Sequence, residues 1–125
     1  MLIISNSAWL SMLAGSQGAF PNEFLALLEG EKTEEGILIK RLVIPPGIFV
    51  NSNSAQWSPW QLSPSINGIG TFHSHPGGVA RPSRQDAFTN SKDGGVHLIL
   101  GWPYSMQNLH AFGPQGEEID FIIEK

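Results

Sequence analysis

The apolar positions of this chain fall into short runs separated by polar, Gly-rich or Pro-rich breaks, and most of the runs read as strands. Leu2-Ile3-Ile4 opens the chain as a short strand. Ser5 or Asn6 then caps a helix in which Trp9, Leu10, Leu13 and Ala14 share a face, and Gly18 and Pro21 end it. Phe24 to Leu28 is strand-like, and Lys32-Thr33-Glu34-Glu35-Gly36 is a polar hairpin turn. Ile37 to Val50 is strand-rich and bent at Pro45-Pro46-Gly47, because proline cannot donate to a ladder. Asn51 to Asn67, rich in Ser, Pro, Asn and Trp, is the least regular segment. Ile69 to His75 reads as a strand, and Ser83 to Asn90 as a short helix between Pro82 and Gly94-Gly95. The last strands are Val96 to Trp102, Leu109 to Phe112 and Ile119 to Ile123, with a turn at Gly113-Pro114-Gln115-Gly116 between the final two. The pattern predicts an α/β fold: a mixed, strand-rich sheet flanked by helices, with residues 1–125 forming a single domain.

Composition narrows the function. The formal net charge is −4, which speaks against a nucleic-acid binder, since that function needs a basic face to displace phosphate counterions. The chain has no Cys, which excludes a disulfide scaffold, a thiol nucleophile, Cys-ligated zinc and an iron–sulfur cluster. The longest apolar runs are about five residues, such as Phe24 to Leu28, whereas a membrane span needs about twenty. No Lys or Arg precedes Lys32, and Ser5, Asn6 and Ser7 interrupt the N-terminal apolar stretch, so it does not read as a secretion signal. A cytoplasmic protein without membrane contact is the expectation.

The chemistry concentrates in one block. His73 and His75 stand at i and i+2 on the strand Thr71-Phe72-His73-Ser74-His75-Pro76, so both imidazoles project from the same face and can converge on one metal ion. Asp86 follows eleven positions after His75, on the predicted helix, and the loop from Gly77 to Pro82 is long enough to bring it back over the strand end. Two neutral nitrogens and one carboxylate suit Zn²⁺ with a fourth position left for water. Each piece also has an ordinary reading: two strand histidines, and a Ser83/Asp86 helix start. The whole string H-x-H-P-x₆-S-x₂-D within 14 residues is much harder to obtain by accident.

That string, His73-Ser74-His75-Pro76 followed after six residues by Ser83-Arg84-Gln85-Asp86, resembles the signature of the JAMM (MPN-plus) zinc metallopeptidases at every defining position. The segment Pro21-Asn22-Glu23-Phe24-Leu25-Ala26-Leu27-Leu28 is similar to the family's upstream segment that carries a catalytic Glu. The resemblance covers nearly the whole chain and points to a compact, archaeal-type (desampylase-like) member with cytidine-deaminase-like layering. It implies that His73, His75 and Asp86 hold Zn²⁺. It implies that Glu23 is the general base, taking a proton from the attacking water and passing it to the leaving amine, and that Ser83 stabilises the tetrahedral oxyanion. The implied activity is hydrolysis of the bond between the C-terminus of a ubiquitin-like modifier and a lysine amine. Trimming of a C-terminal extension from a sulfur-carrier protein is an alternative substrate choice, and a non-catalytic MPN scaffold an alternative class. Without the resemblance, Glu23 reads as a surface carboxylate after a Pro-Asn turn.

Three further residues are weaker candidates for substrate contact: Trp102 and Tyr104, in the Trp-Pro-Tyr sequence after a strand, and Arg81, beside the metal block. His97 and His110 read as structural. Other metal folds fit poorly: a zinc deaminase needs Cys ligands, and no H-E-x-x-H string occurs.

Overall fold

A computed structural model describes residues 1–44, 49–50, 55–56, 68–78 and 95–124. Strand β1 (Leu2–Ser5) runs directly into helix α1 (Asn6–Ala19). Ser5 makes the junction: its Oγ accepts the Ala8 N–H at 3.1 Å, satisfying one of the helix's unpaired donors, and donates to the Lys40 carbonyl at 2.9 Å. The cap therefore also ties the helix start to the neighbouring strand. The buried face of α1 is Ala8, Trp9, Met12 and Ser16. This corrects the expected face, because Leu10 is 53% exposed and Ala14 is exposed too, while Leu13 packs at the core's margin. Ala8, Met12 and Ser16 recur every four residues, and the two small ones let the helix lie close to the sheet. A ranking by side-chain size alone passes over them.

Next come β2 (Leu25–Thr33) and β3 (Gly36–Val43), an antiparallel hairpin turning at Glu34 and Glu35 as the polar run predicts. Gly36 sits at φ 139°, and a Cβ there would collide with the Met1 carbonyl. Short strands β4 (Phe49–Val50) and β5 (Ala55–Gln56) pair with each other, so the segment read as least regular contributes one short strand. Then follow β6 (Gly68–His75), β7 (Val96–Gly101), β8 (Leu109–Phe112), β9 (Glu118–Ile119) and β10 (Phe121–Glu124).

Eight strands form one mixed sheet in the order β10-β1-β3-β2-β6-β7-β8-β9. The pairs β1/β10, β1/β3 and β6/β7 are parallel, and the others are antiparallel. The expected final strand over Ile119 to Ile123 is two strands, broken at Asp120: β9 pairs with β8 at one edge and β10 with β1 at the other. Ile119 and Phe121 are two residues apart and so separated by at most about 7 Å. The two edges must therefore approach each other, and the sheet curls strongly round its core.

That core includes Ile4, Met12, Leu28, Ile39, Phe72, Leu98 and Leu100, all fully buried or nearly so. Every residue of β7 is buried, as befits a strand paired in parallel with β6 and covered on both faces. Gly70 is required for that pairing, since a Cβ there would overlap the Val96 carbonyl. Among the described residues, no helix is long and apolar enough to cross a membrane.

Candidate metal centre

The centre of the sheet brings the site together. Strands β2 and β6 run antiparallel with Leu25 opposite His73, so the start of β2 meets the end of β6. His73 and His75 share a face of β6 through simple alternation, and their rings stand 6.5 Å apart at right angles. Glu23 lies two residues before Leu25, and the same alternation carried back along the chain puts it on that face. Its Oε1 is 3.0 Å from His73 Nδ1, and each of the two side chains is only 13% exposed. A carboxylate can only accept, so in the neutral ring the proton sits on Nδ1 and Nε2 keeps a lone pair for a metal.

One ligand atom from each of Glu23, His73 and His75 lies within 4.8 Å of the others. Imidazole nitrogens and a carboxylate oxygen are donors that zinc takes, so the chemistry of this set suits zinc. Among the described residues it is the one such cluster of three. Asp86, Ser83 and Arg81, expected from the sequence as ligand, oxyanion donor and substrate contact, lie outside the described residues.

Ser74, between the two histidines, points to the opposite face and is fully buried. Its Oγ accepts the Phe24 N–H at 2.7 Å, and its own N–H donates to the Phe24 carbonyl at 2.8 Å. The sequence reading passed over this residue. The available signal is its place at the odd position of H-x-H, which must face away from the metal.

The Trp102 N–H donates to the His75 carbonyl at 3.0 Å, which anchors the loop after β7 at the site. Trp102 is 51% exposed and stacks on Phe20, with ring centroids 6.3 Å apart at 28°. Tyr104 is different. It belongs to the core, at φ 68°, and its ring meets the edge of Phe20. Burial raises the Tyr104 pKa above its ordinary value, and an interaction with Ser74 partly offsets this. The hydroxyl lies outside good hydrogen-bond geometry to any partner among the described residues. Trp102 and Phe20 thus form a partly exposed aromatic pair, with the buried Tyr104 packed against Phe20.

The remaining histidines are placed as the sequence reading expects. His97 is buried with its Nδ1 2.6 Å from Thr71 Oγ1, and His110 pairs with Glu118 at 2.8 Å on the outer strands.

Comparison with known proteins agrees with this geometry. Residues 5–112 match the family of prokaryotic homologues of the JAB domain. A Haloferax volcanii protein described as a "Probable metalloprotease" is 34% identical over 117 residues, covering 89% of this chain and 72% of that protein. Among solved structures, one reported as JAMM, a metalloprotease-like zinc site in the proteasome and signalosome, superposes with a TM-score of 0.75 at 26% identity. The match covers 100% of this chain and 99% of that one. A JAB1/MPN domain protein from Archaeoglobus fulgidus gives a TM-score of 0.74 at 25% identity, over 100% and 98% of the two chains. A fold of this type with a Glu-His-His cluster at the meeting of two central strands is that of a JAMM metalloprotease-like protein. The chain belongs to the prokaryotic JAB-domain family, and its Glu23, His73 and His75 form a cluster that could hold a metal ion.

Proposed function

We propose that this protein is a zinc-dependent isopeptidase that hydrolyses the bond between the C-terminal carboxyl of a ubiquitin-like modifier and a lysine amine, acting in the cytoplasm. The single observation that carries the peptidase reading is the Glu23–His73 contact at 3.0 Å beside His75, in a chain of the JAMM family. In this reading His73, His75 and Asp86 hold the zinc. Bound there, zinc supplies a Lewis acid that polarises the scissile carbonyl and lowers the pKa of water to about 7. Glu23 takes the proton of the attacking water on a carboxylate oxygen and delivers it to the departing lysine nitrogen. Ser83 donates a hydrogen bond from its hydroxyl to the developing oxyanion. Trp102, with Phe20 stacked against it, offers an apolar contact for the polypeptide beside the scissile bond, and Arg81 a charged one; Tyr104 supports that contact from below.

The test incubates the full chain with a lysine-linked conjugate and with a linear fusion of a ubiquitin-like protein, each with and without chelator, and weighs the products. Release from the lysine-linked conjugate, lost on chelation, is the expected result. Cleavage of the linear fusion alone would favour trimming of a C-terminal extension, and no cleavage of either would favour a scaffold.

A further inference from the structure

Leu25 faces His73, so continuing the ladder by one step sets Phe24 opposite Ser74. In an ordinary antiparallel pair of this kind the two residues exchange both main-chain bonds. Here only one leg is main chain to main chain, Ser74 N–H to the Phe24 carbonyl at 2.8 Å. The other leg ends on a side chain: the Phe24 N–H donates to Ser74 Oγ at 2.7 Å. The hydroxyl stands where a carbonyl is expected, at a residue with no exposed surface. It is the last grip of β6 on the chain before Glu23.

The peptide that carries this N–H is the Glu23–Phe24 peptide itself. Fixing the Phe24 nitrogen fixes the plane from which the Glu23 side chain departs. Glu23 lies before the first residue of β2 and receives no ladder bond from that strand. Its carboxylate nevertheless reaches His73 Nδ1 at 3.0 Å. We propose that the Ser74 hydroxyl is the positioning group that holds Glu23 against the His73/His75 pair. Ser74 touches neither metal nor substrate, since alternation turns it to the opposite face from both histidines. It acts on Glu23 through the backbone of Phe24. The inference deepens the peptidase reading and rests on it for its kinetic consequence, but not for its structural one.

Four proteins decide it: wild type, Ser74→Ala, Ser74→Thr and Ser74→Val. Thr and Val have nearly the same shape and differ in the hydroxyl, so this pair isolates the hydroxyl even if Ser74→Ala leaves a cavity that prevents folding. The first readout is independent of activity and uses zinc-free protein. The Phe24 amide is expected to exchange with solvent about tenfold faster or more in Ser74→Val than in Ser74→Thr, and the Glu23 carboxylate ¹³C resonance to move away from its wild-type position only in Ser74→Val. The second readout is cleavage of the lysine-linked conjugate with zinc bound. Ser74→Val is expected to lose on the order of ten- to a hundredfold in kcat with KM little changed and one zinc per chain retained, and Ser74→Thr to recover most of the loss.

A hydroxyl that merely stabilises the sheet would lower the melting temperature in Ser74→Val and leave kcat and the Glu23 resonance unchanged; that result overturns the proposal. Equal Phe24 exchange in the Thr and Val proteins overturns it as well. If wild type cleaves no conjugate, the peptidase reading fails, and amide exchange with the Glu23 resonance still decides whether Ser74 positions Glu23.

Discussion

A carboxylate 3.0 Å from an imidazole can serve a metal site as a ligand or as a base, and one substitution separates the two at Glu23. Glu23→Gln keeps the size and one acceptor oxygen but cannot take a proton at neutral pH. As a base, it should keep one zinc per chain and a near wild-type melting temperature while losing roughly 10²–10⁴-fold in rate. Loss of zinc in elemental analysis would instead make Glu23 a ligand. Tyr104 provides a prediction in pH. Burial raises its pKa in the folded chain above the ordinary 10.0. Below that value both folded and unfolded chains keep the proton, and the stability linked to it is fully present. Above it the unfolded chain ionises first, so stability falls as pH rises through the folded pKa. The difference between wild type and Tyr104→Phe in urea midpoints should therefore be flat below about pH 10 and move against wild type above it. Tyr104 is the only tyrosine, so the tyrosinate absorbance reports its ionisation directly.

Among the elements, the parallel pair β6/β7 bears most on the site. β6 carries both histidines, and β7 runs beside it from Gly70↔Val96 to His75↔Gly101. The pair closes only because Gly70 has no Cβ to strike the Val96 carbonyl. Gly70→Ala forces those backbones apart at the start of the ladder. It should cost more than about 2 kcal/mol in urea unfolding, well beyond an ordinary surface change, and weaken zinc retention by loosening the histidine strand. An unfolding midpoint equal to wild type would show that the strands can part there without penalty. The loop after β7 returns to this ladder through the Trp102 N–H and the His75 carbonyl, so the half-exposed Trp102 is tied to the end of the strand that carries the two histidines.

Across the whole molecule, zinc should act as a folding ligand. His73 and His75 share a face only on the formed strand β6, and Glu23, fifty residues earlier in the chain, reaches them only in the folded sheet. Metal that binds the folded chain and not the unfolded one adds about 2.7 kcal/mol when its free concentration is a hundred times the dissociation constant. Stripping zinc with a chelator should lower the melting temperature by several degrees and restoring it should reverse the change, while His75→Ala should show neither effect. Equal melting curves for stripped and reloaded wild type would exclude zinc as a stabilising ligand of this fold.

Much of this protein is local enough to be read from its residues. The Ser5 cap, the Glu34–Glu35 turn and the strand that ends at Pro76 depend on neighbours a few positions away. So does the common face of His73 and His75, since a strand alternates whatever lies beside it. Glu23 was found through its likeness to a family segment, because by itself a carboxylate after a Pro-Asn turn carries no such signal. Only the tertiary structure decided that it meets His73, through the register of β2 on β6 and the bond from Phe24 to Ser74. Only the tertiary structure turned α1 to bury Ala8 and Ser16 rather than Leu10, sank Tyr104 while leaving Trp102 exposed, and split the last strand between the two edges of the sheet. Those outcomes rest on pairings and close packing between residues distant in the chain. Alternation and capping are set by the backbone over one or two turns, whereas register and burial are set by what arrives from elsewhere to fill the space.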